Sequence, residues 1–224
     1  MNKAVVLLSG GMDSATVLGL AREKHDEVIA VSFDYGSKHK DAEMESAEQV
    51  AQFYRVERRL ITIPKIEGSA LTDEDQALPT GRKLEEMDGV APSYVPARNT
   101  ILLALAASVA DQMGANVIYY GAHREENVSY PDCRPSFAQA MSRAICLGTK
   151  NGVSVETPFI HGGKSEIVKK AVEIGVPLHL THSCYQGKKP ACGVCDTCQI
   201  RIDAFKKAGY RDPIPYEIDI DWRD

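Results

Sequence analysis

The 224-residue chain has no stretch approaching eighteen consecutive apolar residues, no run of basic side chains, and one tryptophan. The first absence argues against a membrane-crossing helix. The second makes a duplex nucleic-acid binder a poor expectation, because 26 Lys and Arg face 31 Asp and Glu for a net charge of −5. Near the N-terminus the apolar run is only Ala4 to Leu8, too short for the core of a secretion signal, and no small-residue cleavage site follows. Six cysteines without such a signal point to a reducing compartment and to metal or redox chemistry, not to a disulfide scaffold. With 44% hydrophobic and 25% charged residues the composition is that of an ordered globular protein. A cytoplasmic enzyme is the expectation.

The first two-thirds alternates two periodicities. Lys3–Leu8, Glu27–Phe33, Glu57–Ile63, Val117–Gly121 and Val153–Thr157 read as strands, the first two as continuous apolar runs buried on both faces. Between them Asp13–Lys24, Lys40–Phe53, Thr100–Met113, Pro135–Leu147 and Lys164–Ile174 carry apolar residues at helical spacing, the last stopped by Gly175 and Pro177. Strands separated by helices of this length predict an α/β fold, a Rossmann-like doubly wound parallel sheet. Two segments break the rhythm. Glu67–Pro96 is rich in Gly, Pro and charge, as expected of a functional lid or loop. Thr181–Cys198 crowds four cysteines together. At the end, Tyr216–Trp222 alternates acid with apolar side chains and predicts an edge strand. The expected division is residues 1–180 for a nucleotide-binding α/β domain and 181–224 for a metal-binding element packed on it as one unit.

Strand Val5–Leu8 runs into Ser9-Gly10-Gly11-Met12-Asp13-Ser14, which opens a helix. Paired glycines let the backbone approach an anion, and the helix start offers free N–H groups and the positive end of its dipole. Ser9 and Ser14 add hydroxyls. The loop lacks the Gly-Lys-Ser/Thr ending of a Walker sequence and is not G-x-G-x-x-G. Ser-Gly-Gly-x-Asp-Ser after an N-terminal strand resembles the signature of the PP-loop ATP pyrophosphatases. These cleave ATP between the α- and β-phosphates and adenylate a carboxyl or carbonyl oxygen. The resemblance implies that Leu8, Ser9, Gly10, Gly11, Met12, Asp13, Ser14, Ala15, Thr16, Val17 and Leu18 form the ATP-binding stretch. It makes Asp13 a ligand or orienter near the magnesium that accompanies ATP.

Cys184, Cys192, Cys195 and Cys198 give C-x7-C-x2-C-x2-C, a spacing at which four thiolates can wrap one ion tetrahedrally. Zinc is favoured over an iron–sulfur cluster, because the ferredoxin pattern needs a fourth cysteine followed by proline. Four thiolates close the shell, so one structural Zn2+ is expected. His179 and His182 are then capping or surface residues, and Cys146 a core residue.

Three further stretches stand where chemistry is expected. Tyr94-Val95-Pro96-Ala97-Arg98-Asn99 leads into an apolar helix, and Arg98 suits a carboxylate or a triphosphate. Gly121-Ala122-His123-Arg124-Glu125-Glu126-Asn127 follows a strand at its carboxyl end, where parallel sheets bind ligands. In Tyr130-Pro131-Asp132-Cys133-Arg134 a proline fixes an aromatic ring, a carboxylate and a thiol. A carboxylate facing an N–C–N edge with a ring for stacking is one way to read a guanine-type base. Lys164, after Gly162-Gly163, is expected to touch a phosphate or leaving group.

These stretches, with FDYGSKH after the second strand, the ETP segment before Lys164, SCY, CGVCDTC and the terminal PYEIDIDW, resemble the 7-cyano-7-deazaguanine synthase family over nearly the whole chain. Two departures stand out: Ala97 where the family pattern has glycine, and HREENV where many members carry a T-D-type acidic stretch. The resemblance implies an ATP-dependent ligase acting on 7-carboxy-7-deazaguanine and ammonia, with two rounds of activation giving first an amide and then a nitrile that feeds queuosine and archaeosine synthesis. It implies Asp13, Arg98 and Lys164 as catalytic residues, and Arg98, Asn99, Tyr130, Asp132 and Cys133 as substrate contacts. No glutaminase segment is visible, so free ammonia is the expected nitrogen source. A homodimer is the expected assembly, with no direct nucleic-acid or membrane partner. Three alternatives remain: transfer of the activated carboxyl to another amine, a PP-loop tRNA ligase or thiolase, and a zinc-ribbon module without turnover. Thiolases need redox-active cysteines and tRNA enzymes a basic face, and neither suits this chain.

Overall fold

In strand β1 (Lys3–Leu7) every residue after Lys3 is buried, and the pleat sends Ala4 and Val6 to one side and Val5 and Leu7 to the other. That two-sided burial needs helices on both faces, and they are present. The structure is a computed structural model that describes residues 2–82, 84, 87 and 89–223. β2 (Glu27–Asp34), β3 (Glu57–Thr62), β4 (Val117–Tyr119) and β5 (Ser154–Glu156) join β1 in one parallel sheet of order β3-β2-β1-β4-β5. The register pairs Val5 with Ile29 on one side and with Ile118 on the other.

One face is covered by α1 (Met12–Lys24), α2 (Lys40–Tyr54), α5 (Lys164–Glu173) and α6 (Asp196–Ala208), whose Val17, Val50, Ile167 and Phe205 pack with Ala4, Val6 and Val28. The other is covered by α3 (Arg98–Met113) and α4 (Pro135–Gly148), with Leu103, Ala106 and Ile145 against Val5, Val31 and Ile118. After β3 the chain returns to the centre and lays β4 beside β1. Strand order therefore reverses between β1 and β4, and the crevice at their carboxyl ends is the place where such sheets hold ligands. The fold is the doubly wound α/β sheet expected from the strand–helix alternation.

The structure corrects the sequence reading in three places. α3 starts at Arg98, two residues before the expected Thr100, because the Asp132 carboxylate accepts the Asn99 N–H at 2.9 Å and satisfies its first turn. Tyr216–Trp222 is not an edge strand. Only Tyr216 pairs, through one bridge to Ala191, and the segment packs over the cysteine loop, where Ile218 occupies the space a Cβ on Gly193 would need. The third is α6, which the cysteine spacing hid and which buries Phe205 in the same core as α1 and α5. Glu67–Pro96 runs without strand or long helix among its described residues. It sends Leu71 against Tyr35 and Val95, and bonds Gly81 N–H to the Val194 carbonyl at 2.8 Å. Residues 83, 85, 86 and 88 of that stretch lie outside the described residues. Among the described residues no helix is long and apolar enough to cross a membrane.

Candidate active site and metal centre

The turn from β1 into α1 is tight because α2 lies directly against it. Gly10 has φ +86°, and a Cβ there would stand 2.4 Å from the Glu43 carbonyl oxygen, so no other residue fits. Gly11 caps α1, Ser14 Oγ donates to its carbonyl at 3.0 Å, and Ser9 Oγ lies 3.1 Å from Ser14 Oγ. The loop is held from beyond by His182, whose N–H donates to the Gly10 carbonyl at 2.9 Å. On the other side β4 ends against it: a Cβ on Gly121 would stand 3.2 Å from the backbone of Asp13 and Ser14.

This loop forms one wall of a cleft of about 220 Å³. Asp13 points into it and takes the Lys164 ammonium at 2.8 Å, across 151 residues of sequence. Burial alone would push the Asp13 carboxyl up, but Lys164 and His123 outweigh it and hold the group below the ordinary carboxylate range. Burial opposes the Lys164 charge too, yet Asp13 and Glu126 raise its pKa above the usual lysine value. The pair is charged at neutral pH.

Arg98, the first residue of α3, stands on the opposite wall. Its Nη1 donates to the Tyr35 hydroxyl at 3.2 Å, and its guanidinium lies 5.5 Å from the centre of that ring. Glu43 sits 3.2 Å from His39 Nε2 and accepts from Ser37 at 3.3 Å; burial would raise its carboxyl, and His39 with Arg98 hold it below the ordinary range. Tyr35, Tyr185, Tyr120, Leu102 and Phe33 supply the apolar surface of the cleft.

Of the residues expected at the site, Leu8, Ser9, Gly11, Met12, Asp13, Ser14, Arg98, Asn99, Cys133 and Lys164 line this one cleft. Gly10 stands behind it as the packing point of the loop. Ala15, Thr16, Val17 and Leu18 do not reach it: they are fully buried in the body of α1, where the helix contacts the sheet and α2. Asp132 lies beneath the cleft, bonded to the start of α3. Tyr130 stands in a second row, its hydroxyl 2.8 Å from Ser93 Oγ and 3.5 Å from the Tyr185 hydroxyl. Cys133 accepts from Asn99 Nδ2 at 3.4 Å, and burial pushes its thiol well up, which favours the protonated form. Sequence reasoning gave no individual role to Tyr35, Glu43, His123, Glu126 or Tyr185, although Tyr35 and Tyr185 sit in the FDYGSKH and SCY stretches and His123 and Glu126 in the stretch expected to meet ligand after the fourth strand. His182, expected at the surface or in a cap, is instead buried in the cleft wall, with burial lowering its pKa. Cys146, expected in the core, is half-buried.

Cys184, Cys192, Cys195 and Cys198 are buried together with all four Sγ atoms within 4.8 Å of one another. Cys192 Sγ and Cys198 Sγ are 3.9 Å apart. Tetrahedral thiolates around an ion at Zn–S distances stand about 3.8 Å apart. The donor set can hold a metal ion. Cys195 caps α6 and Cys198 lies in its first turn, so the positive end of that helix faces the sulfurs. The centre also clamps the neighbouring chain, since Thr80 pairs with Cys195 and Arg82 bonds Asp196.

The family model described as "Queuosine biosynthesis protein QueC" matches residues 3–209. The chain is 45% identical over 221 residues to the 7-cyano-7-deazaguanine synthase of Thermoplasma volcanium, covering 96% of this chain and 90% of that one. It is 45% identical over 223 residues to the 7-cyano-7-deazaguanine synthase 2 of Desulfitobacterium hafniense Y51, covering 96% and 94%. Among solved structures, NMN synthetase from Francisella tularensis superimposes over 94% of this chain and 78% of its own at a TM-score of 0.50 and 16% identity, a likeness of fold alone.

Proposed function

The chain belongs to the QueC family of queuosine biosynthesis proteins, and from that membership we propose that it converts 7-carboxy-7-deazaguanine and ammonia to 7-cyano-7-deazaguanine at the expense of ATP. The observation that carries the reading to particular atoms is the SGGMDS loop, opening at the sheet's switch point into a cleft walled by Arg98 and three tyrosines. A free carboxylate is a poor electrophile for ammonia. ATP makes it one: the acid oxygen attacks the α-phosphorus, pyrophosphate leaves, and ammonia then displaces AMP to give the amide. A second ATP activates the amide oxygen, and its departure with loss of two N–H protons leaves the nitrile.

In this reading the loop amides and the Ser9 and Ser14 hydroxyls hold the departing pyrophosphate. Lys164, fixed by Asp13, lies on the same side to neutralise it. Arg98 faces the acid or the phosphates that it attacks. The flat base lies against Tyr35 and Tyr185, with Asn99 and Glu43 as polar neighbours. Mg2+ accompanies ATP and supplies charge neutralisation on its phosphates. One Zn2+ is held by the four cysteines; it supplies folding energy and takes no part in the reaction. Residues 1–180 carry the nucleotide site and 181–224 the metal-binding element. The assembly is a homodimer in the cytoplasm, a compartment that keeps the four thiols reduced.

The test is formation of AMP from ATP in the presence of the acid and ammonium. Asp13→Ala removes the partner of Lys164 without touching the core, so the variant should fold as the native chain does and make almost no AMP. Near-normal AMP formation by that variant sinks the assignment of the loop.

A further inference from the structure

Beside the phosphate loop stand two side chains, His123 and Glu126, that the reaction above leaves unused. His123 lies just beyond β4, 2% exposed, and neither of its ring nitrogens has a hydrogen-bond partner. Its Nε2 is 4.0 Å from Asp13 Oδ2 and 3.7 Å from Glu126 Oε1. Asp13 Oδ1 is also buried and unpartnered, since Lys164 bonds only Oδ2. Buried polar atoms are nearly always paired, and each one left over calls for a cause. Two of them, His123 Nε2 and Asp13 Oδ1, have a simple common cause in one cation between the imidazole and the carboxylates, an ion to which a ring gives only one nitrogen.

We propose that Asp13, His123 and Glu126 form a divalent transition-metal site that fills without nucleotide. The three donor atoms lie within 4.8 Å of one another. Donors around an ion at about 2.1 Å stand about 3.0 Å apart when adjacent and about 4.2 Å when opposite; Nε2 to Glu126 Oε1 at 3.7 Å lies in that span, and the Asp13 carboxylate, 4.0 Å away at the oxygen that Lys164 holds, has Oδ1 spare for the same ion. The chemistry of the set decides which ion. Two carboxylates alone suit magnesium, whereas an imidazole nitrogen is a softer ligand that favours manganese, iron, cobalt or zinc. The charge balance agrees. Two carboxylates face the single ammonium of Lys164, which leaves a net negative pocket for the cation, and the bound ion then presents positive charge to whatever phosphate enters the loop. Lys164 holds Asp13 in place while its other oxygen turns to the metal. The four-cysteine centre is a separate site, with sulfur donors only.

Manganese separates the two centres, because it prefers oxygen and nitrogen to thiolate. The experiment titrates Mn2+ into the purified protein in its native metal state, with no ATP, and follows the free ion by electron paramagnetic resonance. One Mn2+ per chain is expected, showing nitrogen modulation in the pulsed spectrum and resisting displacement by excess Mg2+. His123→Gln should abolish the nitrogen modulation and weaken binding by about tenfold to a hundredfold, at least the loss caused by disturbing an outer-shell partner. Glu126→Gln should weaken binding similarly and keep the modulation, and it decides the matter if His123→Gln does not fold. Binding that requires ATP, a spectrum without nitrogen modulation, or unchanged affinity in Glu126→Gln overturns the proposal. Because no nucleotide or deazaguanine is used, the result stands apart from the reaction assigned above.

Discussion

Asp212→Ala should be among the most destabilising single changes in the molecule. Arg201 on α6 is completely buried, and its guanidinium bonds Asp212 in a fork, Nε to Oδ2 at 2.6 Å and Nη2 to Oδ1 at 2.9 Å. Its remaining donors reach the Thr181 hydroxyl at 2.8 Å, Ser183 Oγ at 3.1 Å and the Leu178 carbonyl at 3.2 Å. The Tyr216 hydroxyl donates to Asp212 at 2.7 Å from the other side. Arg201 thus ties α6 to the very segment that carries His182 and Cys184. Removing the carboxylate strands a guanidinium with no access to water, which costs about 3–5 kcal/mol. For a chain of this length that lowers the melting temperature by about 6–20 °C. Replacing both partners at once, as in Arg201→Met with Asp212→Leu, removes the desolvated charges together and should recover most of the loss. Thermal melts of the single and double variants, in buffer containing Zn2+, measure both numbers. If Asp212→Ala melts within about 2 °C of the native chain, the buried pair does not carry the energy assigned to it.

Three other outcomes follow from individual positions. Ala97 has φ +51° and is exposed, so Ala97→Gly relieves about 1–2 kcal/mol of left-handed strain against about 0.4–1 kcal/mol of unfolded-state entropy; the melt should rise slightly with kcat unchanged, and a fall contradicts the strain. Asp132→Ala exposes the first turn of α3 and should cost about 0.5–2 kcal/mol, with a smaller rise in the KM for the acid than Arg98→Ala gives; a native melt with a raised acid KM would restore a base-reading role to Asp132. Cys195→Ser should release the metal and loosen residues 181–224, seen as faster amide exchange there and in the Thr80–Arg82 stretch that pairs with it; an unchanged exchange pattern in metal-free protein refutes the structural role.

What could be read in advance and what could not divides along a physical line. Strands such as Val5–Leu7 and Ala30–Val31 are buried on both faces, so their apolar runs announce a parallel sheet whatever lies around them. The phosphate loop is equally legible, since its Ser-Gly-Gly-x-Asp-Ser signature is contiguous, while the contact that makes Gly10 obligatory, the Glu43 carbonyl of α2, lies 33 residues away. Contacts that depend on the returning chain are not legible. Asp132 and Asn99 meet across 33 residues, and no spacing in the sequence separates a base-reading carboxylate from one that satisfies a helix start. Tyr185 and Tyr35 reach the cleft that Tyr130 was expected to line, because the cysteine loop folds back over the sheet. The Tyr216–Trp222 alternation is real, but Tyr216 buries against the cysteine loop and not against a strand. α6 was hidden because its first turn is written in cysteine-loop residues, while Ala204 and Phe205 give it only a short apolar stripe.

The reaction assigned to this cleft is the conversion of a carboxylate to a nitrile. It is tested most directly by mass spectrometry of the products formed from 7-carboxy-7-deazaguanine, ATP and 15N-labelled ammonium. The expected products are a labelled amide that gives way to a labelled nitrile, with two AMP released for each nitrile formed. Consumption of ATP with the label absent from the product, or with the deazaguanine carboxyl joined to a different amine, would contradict it.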